Sequence, residues 1–316
     1  IENFKGVKEL EMTNIPDLVV LAGSNGSGKS SILEAIVYAK EVAASYTPNE
    51  PIQNKWGTGM VSADSETANI ELDFQLSSEE RNILNSHGLD CYETEKIRIG
   101  IKRNELDASH VMISPGFRRL LTTYHEHPHL GIMDYIDAHR VFRKVSIDTF
   151  TFSNNAEIEK RKRFMESEHK FNELKYLLLR LKAKSSFKLE DDYMNDNLQD
   201  NKEHYLNFYS KIDRVFDLLS PKKFSNIDLD SNPIKFNVST PLGNIDLDDL
   251  SSGEKEIVFI LLELSNLSPN NSIILFDEPD LHLSEKVQRQ FINFLESVGE
   301  NNQIWITTHS SSIINS

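Results

Sequence analysis

Cysteine is nearly absent from this chain, which has a single one, Cys91, among 316 residues. One thiol cannot form an internal disulfide, and this scarcity predicts a protein of a reducing compartment, the cytoplasm. Long apolar runs are missing as well. The longest one near the C-terminus, residues 257–262, is far shorter than the roughly 20 residues of a membrane-spanning helix. The sequence therefore predicts no membrane partner.

Positive charge is in the minority, with 34 Lys and Arg against 49 Asp and Glu, a net charge of −15. A strongly acidic chain is not suited to coating nucleic acid without selectivity, because the phosphates repel it. Residues 156–184 are a local exception, with nine basic and five acidic side chains. Contact of this stretch with DNA or with a protein stays open, beside the plainer interpretation of a solvated helix face.

Strands and helices alternate at both ends of the chain, which predicts an α/β fold. Alternation with a period of two residues and apolar runs predict strands, and apolar residues at helical spacing predict helices. The Ser-Pro-Gly at 114–116 predicts a loop. The predicted strands cover residues 17–23, 67–77, 95–104, 131–142, 272–277 and 303–308, and the predicted helices cover residues 30–44, 253–267 and 284–298.

The middle of the chain has a different pattern, because Phe164, Phe171 and Leu178 recur every seven residues. This spacing predicts a long helix over 156–184 whose apolar stripe packs on a partner, and a second helix over 201–219 completes a hairpin. The predicted domains are an N-terminal lobe, an inserted helical arm and a C-terminal lobe, at residues 1–150, 151–225 and 226–316.

A glycine-rich turn joins the strand at residues 17–23 to the helix that follows. Gly23, Gly28, Lys29 and Ser30 have the spacing G-x-x-x-x-G-K-S, in which backbone N–H groups surround a phosphate and the helix N-terminus adds positive potential. Lys29 would then reach the β- and γ-phosphates of a nucleotide, and the Ser30 hydroxyl would bind Mg²⁺. The predicted ATP-binding residues are Asn25, Gly26, Ser27, Gly28, Lys29, Ser30 and Ser31.

The apolar strand at residues 272–277 ends in two carboxylates, Asp277 and Glu278. Asp277 is suited to the Mg²⁺ shell, and Glu278 is suited to orienting or deprotonating a water that attacks the γ-phosphate. An acidic strand end by itself would be unremarkable. Combined with the glycine-rich turn, it predicts a nucleotide hydrolysis site with ATP and Mg²⁺ as cofactors and with Ser30 and Asp277 as metal ligands.

A second helix begins with Ser251, Ser252, Gly253 and Glu254. It is either another anion-binding helix terminus or an ordinary helix cap, for which these residue types are common. One nucleotide does not need two phosphate sites on the same chain. The anion-binding interpretation therefore predicts a homodimer in which each ATP lies between Lys29 of one copy and Ser251 of the other.

One single histidine and one group of three histidines are candidates for functional residues. His309 directly follows the strand at 303–308, and this position favours a contact with the γ-phosphate over the more common structural role of a single histidine. His125, His127 and His129 stand at alternate positions, as metal ligands on a strand would. A proline interrupts that spacing and no cysteine completes a shell, so the sequence favours no metal there.

These segments, in this order, resemble the motifs of ABC-type ATPases. "GSNGSGKS" is similar to Walker A, "LSSGEKE" to the signature, "ILFDEPD" to Walker B and "TTHS" to the switch-histidine motif. The opening "IENFKG" resembles the start of SMC, Rad50 and RecF-like proteins. "DEPDLHLS" with "THSSSII" resembles the RecF/OLD-type group, AAA15 and AAA21, common in prokaryotic defence systems such as OLD, Septu-like and retron-associated ones.

The resemblance implies an ABC ATPase head: a P-loop NTPase core sheet, an antiparallel β subdomain and an inserted helical hairpin or short coiled-coil arm. The long separation of Lys29 from Ser251 fits an SMC-like head better than a transporter. The resemblance also makes Asn3 and Lys5 candidates for residues near the nucleotide. It leaves the Q-loop residue open between Gln75 and Arg140, of which Arg140 is favoured.

The sequence departs from the common family pattern at Ser252, Glu254 and Ser284. These departures leave ATP binding intact and are compatible with slow hydrolysis. They favour, to some extent, an ATP-bound scaffold or sensor with negligible turnover that holds an effector inactive. Glu278 and His309 favour hydrolysis instead.

We therefore expect an ATP-binding and ATP-hydrolysing switch that works as a homodimer of heads or a higher oligomer. By the resemblance, it controls DNA processing or a nuclease effector, in prokaryotic anti-phage defence. The effector is either a separate subunit or fused to a native chain that continues past residue 316. A third interpretation is a RecF-like DNA repair ATPase, which would bind DNA directly.

Overall fold

The computed structural model describes residues 1–45, 59–90, 92–104, 108–123, 133–138, 175–176, 178–179, 182–183, 210, 212–267, 269–280 and 283–314. Contacts divide the chain into two units, which are described separately. Unit 1 comprises residues 1–138, 269–279 and 299–315, and unit 2 comprises residues 139–268, 280–298 and 316. Residues 226–316, predicted as one lobe, thus contribute to both units.

The described strands are β1 (Glu2–Phe4), β2 (Val7–Glu9), β3 (Leu18–Ala22), β4 (Thr67–Gln75), β5 (Thr94–Lys102), β6 (Ala108–Met112), β7 (Met133–Ile136), β8 (Lys223–Asp228), β9 (Lys235–Thr240), β10 (Gly243–Asp246), β11 (Ile273–Asp277) and β12 (Gln303–Thr308). The described helices are α1 (Lys29–Ser45), α2 (Ser78–Ser86), α3 (Pro115–Thr123), α4 (Ser252–Leu267), α5 (Glu285–Glu296) and α6 (Ser311–Ile314), with a 3-10 turn at Leu247–Asp249.

An antiparallel sheet in unit 1 has the strand order β2-β1-β4-β5-β6. Buried and exposed residues alternate along most of β4 and β5, as their period of two residues predicts for a sheet with one solvated face. The buried face contributes Ile70, Ile97, Ile99 and Ile101 to the core.

A parallel sheet in unit 1 has the strand order β3-β12-β11-β7. β3 and β11 both pair with β12, although β3 lies near the start of the chain. The buried centres of β11 and β12 are nearly all apolar, which is typical of parallel strands covered on both faces. This sheet confirms the predicted α/β core and brings distant parts of the sequence to one edge.

Helix α1 packs on both sheets of unit 1. Tyr38 and Ala39 lie in the cluster that covers the antiparallel sheet, while Leu33 and Val37 lie in the cluster of Leu275 and Trp305 on the parallel sheet. Burying each large apolar side chain stabilises the fold by roughly 1.5–3 kcal/mol. The helix that follows the glycine-rich turn is therefore fixed along its length, and the turn starts from a rigid base.

The loop predicted at 114–116 is wrong, because Pro115 begins helix α3. Proline fits the first position of a helix, where no intrahelical N–H partner is needed. The Ser114 hydroxyl accepts a hydrogen bond from the N–H of Phe117 at 3.0 Å and caps this helix. Phe117 and Leu120 are buried against the antiparallel sheet, so a capped start and apolar packing outweigh the loop-forming tendency of Ser-Pro-Gly.

Unit 2 contains an antiparallel sheet of strand order β10-β9-β8 and the helices α4 and α5. The 3-10 turn leads from β10 into α4. Ile257, Val258, Leu261 and Leu262 are buried along α4, so this helix is a core element of the unit.

The predicted helical arm lies mostly outside the described residues. Its described positions 175–176, 178–179 and 182–183 are helical, and Leu178 of the predicted seam is buried. Residues 212–217 of the second predicted helix are also helical. The hairpin itself stays a prediction. Within the described parts of the chain, no helix combines the length and apolar character that crossing a bilayer requires.

Candidate nucleotide-binding site

The nucleotide-binding segments predicted from the sequence meet at the carboxyl edge of the parallel sheet. The register pairs Ala22 of β3 with Thr308 of β12, and Thr307 of β12 with Asp277 of β11. The chain segments that leave these strands therefore emerge at the same edge. Ligands of open α/β sheets bind in the crevice outside the carboxyl ends of the strands.

The glycine-rich turn, residues 23–28, needs glycine at two positions. Gly26 and Gly28 have φ values of 76° and 91°, in a region that residues with a Cβ rarely adopt. A Cβ at Gly28 would also lie 3.3 Å from the carbonyl oxygen of Gly6. Helix α1 follows the turn at once, and its N-terminus attracts anions. The backbone therefore forms a turn suited to binding phosphate.

Lys29 is buried at the first position of α1, with 7% of its surface exposed. Its Nζ donates hydrogen bonds to the carbonyl oxygens of Gly23 and Ser24, at 3.1 Å each. These contacts hold the ammonium group over the turn. The positive charge thus lies where the phosphates of a nucleotide would bind.

Ser30 and Asp277 supply adjacent oxygen atoms. Ser30 Oγ donates a hydrogen bond to Asp277 Oδ1 at 2.8 Å, and Asp277 is buried at the end of β11. Mg²⁺ prefers oxygen ligands and in nucleotide sites is bound by one or two carboxylates together with phosphate oxygens and waters. This donor set fits Mg²⁺. Among the residues that the structure describes, no group of three or more His, Cys, Asp or Glu is arranged to hold a metal.

Glu278, His309 and Lys29 form a charged cluster beside the turn. Nε2 of His309 lies 3.2 Å from Glu278 Oε1 and 3.0 Å from Lys29 Nζ. One imidazole nitrogen cannot accept a hydrogen bond from an ammonium group and donate one to a carboxylate at the same time. A phosphate oxygen placed among these groups would accept hydrogen bonds from Lys29 and His309, and Glu278 could then turn to a water molecule.

Thr307 also touches these residues, and the sequence did not single it out. Its hydroxyl donates to Asp277 Oδ1 at 2.5 Å and accepts from the N–H of Glu278 at 2.9 Å. The available signal was two threonines at the end of an otherwise apolar strand, "QIWITT". The missing information was the register between β11 and β12, which no local pattern gives.

The family of the chain follows from a comparison with known proteins. Residues 18–315 match the AAA_21 family, described as "AAA domain, putative AbiEii toxin, Type IV TA system". The chain belongs to the AAA_21 family. The predicted resemblance is thereby confirmed, and the AAA_21 chain is an SMC/RecF-like ABC ATPase.

Two curated proteins are similar to this AAA_21 chain. The DNA replication and repair protein RecF of Acinetobacter baylyi is 23% identical over 339 aligned positions, which cover 98% of this chain and 90% of RecF. The Retron Ec83 probable ATPase of Escherichia coli is 30% identical over 158 positions, which cover 44% of this chain and 29% of that protein.

Solved structures of SMC heads share the fold of the AAA_21 chain. An SMC head bound to the C-terminal winged-helix domain of ScpA has a TM-score of 0.54 at 14% identity, covering 99% of this chain and 90% of that one. A Pyrococcus furiosus SMC head with an extended coiled coil has a TM-score of 0.50 at 12% identity, covering 99% and 89%. The predicted ABC ATPase head is confirmed, while the inserted arm is not tested by this likeness.

Of the two residues proposed from the opening "IENFKG", one packs near the phosphate-binding turn. Lys5 pairs with Glu34 of α1 at 2.9 Å, and the neighbouring Gly6 lies against Gly28. Asn3 has a φ of 53°, and its carbonyl oxygen accepts a hydrogen bond from Ser62 N–H. The β1–β2 hairpin thus supports the turn through backbone packing.

Of the two Q-loop candidates, the structure describes only Gln75, and it does not bring Gln75 to this site. Gln75 is exposed at the end of β4 and lines a cleft of about 1850 Å³ that also includes Ile273 and Gln303, at the amino ends of the parallel strands. Arg140 lies outside the described residues, as do the histidines at positions 125, 127 and 129.

The signature segment lies in unit 2 and its side chains contact each other. Ser251 Oγ donates to Glu254 Oε2 at 2.8 Å, the N–H of Ser251 donates to the same oxygen at 3.0 Å, and the N–H of Glu254 reaches back to Ser251 Oγ at 3.4 Å. These reciprocal bonds form a capping box. Ser252 is exposed beside it and Gly253 is buried.

Lys222 completes this arrangement with hydrogen bonds to both carboxylate oxygens of Glu254, at 2.6 and 2.8 Å. Burial raises the pKa of the Glu254 carboxyl, but the bonds from Lys222 and Ser251 outweigh it, so the pKa lies below its ordinary value of 4.5. Glu254 is therefore a charged cap at neutral pH. Of the two interpretations of this segment, an anion-binding terminus and an ordinary helix cap, the structure contains the helix cap.

Proposed function

We propose that this chain is an ATP-dependent switch that binds ATP and Mg²⁺ at the carboxyl edge of the parallel sheet and hydrolyses ATP slowly. The observation that carries the proposal is the convergence of Lys29, Ser30, Asp277, Glu278 and His309 on one phosphate-binding turn. Together they supply the positive charge, the metal ligands and the base that phosphoryl transfer to water requires.

In this proposal, Lys29 and the turn bind the phosphates and stabilise the charge that develops on them. Ser30 and Asp277 would hold Mg²⁺, and the ion would neutralise negative charge on the phosphates. Glu278 accepts a proton from a water whose oxygen forms a bond to the γ-phosphorus, while the bond to the β–γ bridging oxygen breaks and ADP leaves. His309 donates a hydrogen bond to the γ-phosphate.

We further propose that two copies of the chain hold each ATP between Lys29 of one copy and Ser251 of the other. In this proposal, the N-terminus of α1 in unit 1 binds the phosphates of one ATP. The N-terminus of the signature helix α4, which belongs to unit 2, binds the phosphates of the ATP held by the other copy. The capping box must then open, because Ser251 Oγ has to release Glu254 before it can donate to a phosphate. This step is compatible with a slow, regulated cycle.

The proposed output is control of DNA processing or of a nuclease effector in a cytoplasmic, prokaryotic anti-phage system. The family description, which includes a toxin system, and the similarity to a retron ATPase support this role. Similarity to RecF over most of both chains supports a DNA repair role instead. The two interpretations share the ATP site and differ in whether double-stranded DNA itself stimulates it.

Light scattering tests the switch. Wild type and Glu278→Gln are sized without nucleotide, with ADP and with ATP, and ATP turnover is measured with and without double-stranded DNA. We expect ATP to trap the Glu278→Gln variant as a dimer or larger species, and stimulation by DNA would favour the repair role. Unchanged mass of both proteins at saturating ATP would refute the dimeric switch.

A scaffold that binds ATP without turning it over is the second candidate. The capping box favours it, because the Ser251 hydroxyl is already hydrogen-bonded within its own chain. For a scaffold we expect ATP to bind and to stabilise the protein, with no phosphate released above the Glu278→Gln background. Phosphate release well above that background excludes this candidate.

A further inference from the structure

Thr307 is a fully buried residue of β12 whose hydroxyl contacts two consecutive site residues. Its relative exposure is 0%. The Oγ1 atom donates to Asp277 Oδ1 at 2.5 Å and accepts from the N–H of Glu278 at 2.9 Å. A hydroxyl has one proton to donate, so these two bonds fix its direction.

The bond to Asp277 bears on the orientation of that carboxylate. Asp277 Oδ1 accepts hydrogen bonds from both Ser30 Oγ and Thr307 Oγ1. When the Ser30 hydroxyl gives a lone pair to a cation, it can still donate its proton to Asp277 Oδ1. Thr307 lies on the neighbouring strand and keeps its own bond, so it can hold the carboxylate in place. Outer partners of this kind orient ligands and tune metal affinity.

The bond to Glu278 bears on the backbone of that residue. Glu278 has a φ of 48°, in the left-handed region that residues other than glycine seldom adopt. Its N–H is directed at Thr307, with the carbonyl oxygen at 3.1 Å and Oγ1 at 2.9 Å. Strained backbone at a functional site persists where the surroundings fix it, and Thr307 supplies two acceptors for this purpose.

We propose that Thr307 is a positioning residue that couples the metal-binding carboxylate of Asp277 to the placement of Glu278. It does not touch the nucleotide. A single hydroxyl joins the residue that holds Mg²⁺ to the residue that activates water, so ordering one also orders the other. This inference rests on the proposed ATP- and Mg²⁺-binding function, and it assigns a role to Thr307, the first residue of the "TTHS" segment.

The test separates positioning from mere packing by measuring metal coupling in the absence of turnover. The affinity of the non-hydrolysable analogue AMP-PNP is measured by calorimetry in Mg²⁺ and in EDTA, and the ratio of the two dissociation constants gives the coupling. Thr307→Val keeps the shape and removes the hydroxyl. Thr307→Ser keeps the hydroxyl and removes a methyl group.

We expect Thr307→Val to lower the Mg²⁺-dependent gain in AMP-PNP affinity by about 10–100-fold, as is typical for outer partners of a metal ligand. Its affinity in EDTA should stay close to that of wild type. Thr307→Ser should retain the Mg²⁺ gain. The matched control is Ser272→Ala, since Ser272 is equally buried beside the amino end of β11 and its hydroxyl donates to the Asn270 carbonyl oxygen. This control should keep the full gain.

An unchanged Mg²⁺ gain in Thr307→Val would overturn the inference and leave Thr307 as a packing residue. If Thr307→Val does not fold, Thr307→Ala, which introduces no larger group, is compared with Thr307→Ser. Equal gains in these two would overturn the inference as well. Failure of the proposed function looks different, because wild type itself would then show no binding of AMP-PNP or no gain from Mg²⁺.

Discussion

Serine and glycine lie at or just before the start of two helices of this protein, α1 and α4, and the N-termini of these helices differ in what occupies them. Helix α1 in unit 1 has no acidic residue in its first turn, and the turn before it is exposed. Helix α4 in unit 2 carries Glu254 in its first turn, and this carboxylate accepts hydrogen bonds from the N–H and hydroxyl of Ser251.

The N-terminus of α1 is therefore suited to binding an external anion, whereas the N-terminus of α4 is already capped by the carboxylate of Glu254. At α1 the charged side chain within the first turn is Lys29, whose positive charge favours a phosphate. At α4 it is Glu254, which competes with a phosphate for the same donors. In our account the first terminus binds ATP in the single chain, while the second requires another copy of the chain and the opening of a cap.

The largest expected effect is at the first terminus. Lys29→Ala should weaken ATP binding by about 100-fold, the amount expected for loss of a charged hydrogen bond to phosphate. Calorimetric titration with ATP measures it. Lys8→Ala is the control, because Lys8 is also a lysine of unit 1 and pairs with the exposed Asp64 at 2.6 Å. The affinity of this variant for ATP should match that of wild type. Equal affinities for Lys29→Ala and wild type would remove the distinction between the two termini.

The backbone of the first terminus gives the next largest effect. Gly28→Ala should lower the free energy of unfolding by about 1–3 kcal/mol, because alanine is strained at a φ of 91°. Chemical denaturation measures this change. At the second terminus, Ser252 is exposed, and Ser252→Ala should change stability by less than about 0.5 kcal/mol. A similar cost at both positions would contradict the account.

The cap of the second terminus should contribute less. Ser251→Ala should lower the free energy of unfolding by about 1 kcal/mol, as is usual for an N-cap serine. The affinity of the single chain for ATP should not change, since Ser251 lies in unit 2 and, in the proposed dimer, faces the ATP of another copy. A loss of ATP affinity in protein shown to be monomeric would mean that Ser251 contacts the nucleotide within its own chain.

The smallest expected effect is a change in how the free energy of unfolding depends on pH when Glu254 is replaced. The pKa of Glu254 is lower in the folded protein than its ordinary value of 4.5, so its contribution is complete above that pH and is lost as the pH falls through the folded value. Glu254→Gln should therefore lose less stability than wild type between neutral pH and about pH 3. Denaturation at a series of pH values measures the difference, and parallel curves would contradict it.

Much of the fold was predictable because its signals are local. The apolar runs of β3, β11 and β12 and the helices α1, α4 and α5 were each predicted within a few residues. Helix α3 was missed, since its start "SPG" has the composition of a loop and its stability comes from Ser114 capping and from Phe117 packing on a distant sheet.

The residues of the candidate site likewise divide into those that local sequence motifs predict and those that depend on tertiary structure. Lys29, Ser30, Asp277, Glu278 and His309 were predicted because their order and spacing along the chain are specific. Thr307 was not predicted, because its role depends on the register of two strands that are separated by helix α5. Nor could the sequence decide between a ligand site and a cap at Ser251, since both use the same residues.

We propose that Glu278 activates water at an ATP site formed by Lys29, Ser30 and Asp277. A comparison of ATP hydrolysis by wild type and Glu278→Gln tests this proposal. With Mg²⁺ present, we expect wild type to release phosphate and the variant to be slower by about 100–10,000-fold. Both should bind ATP with similar affinity by calorimetry. Equal rates of phosphate release in the two proteins would contradict the account.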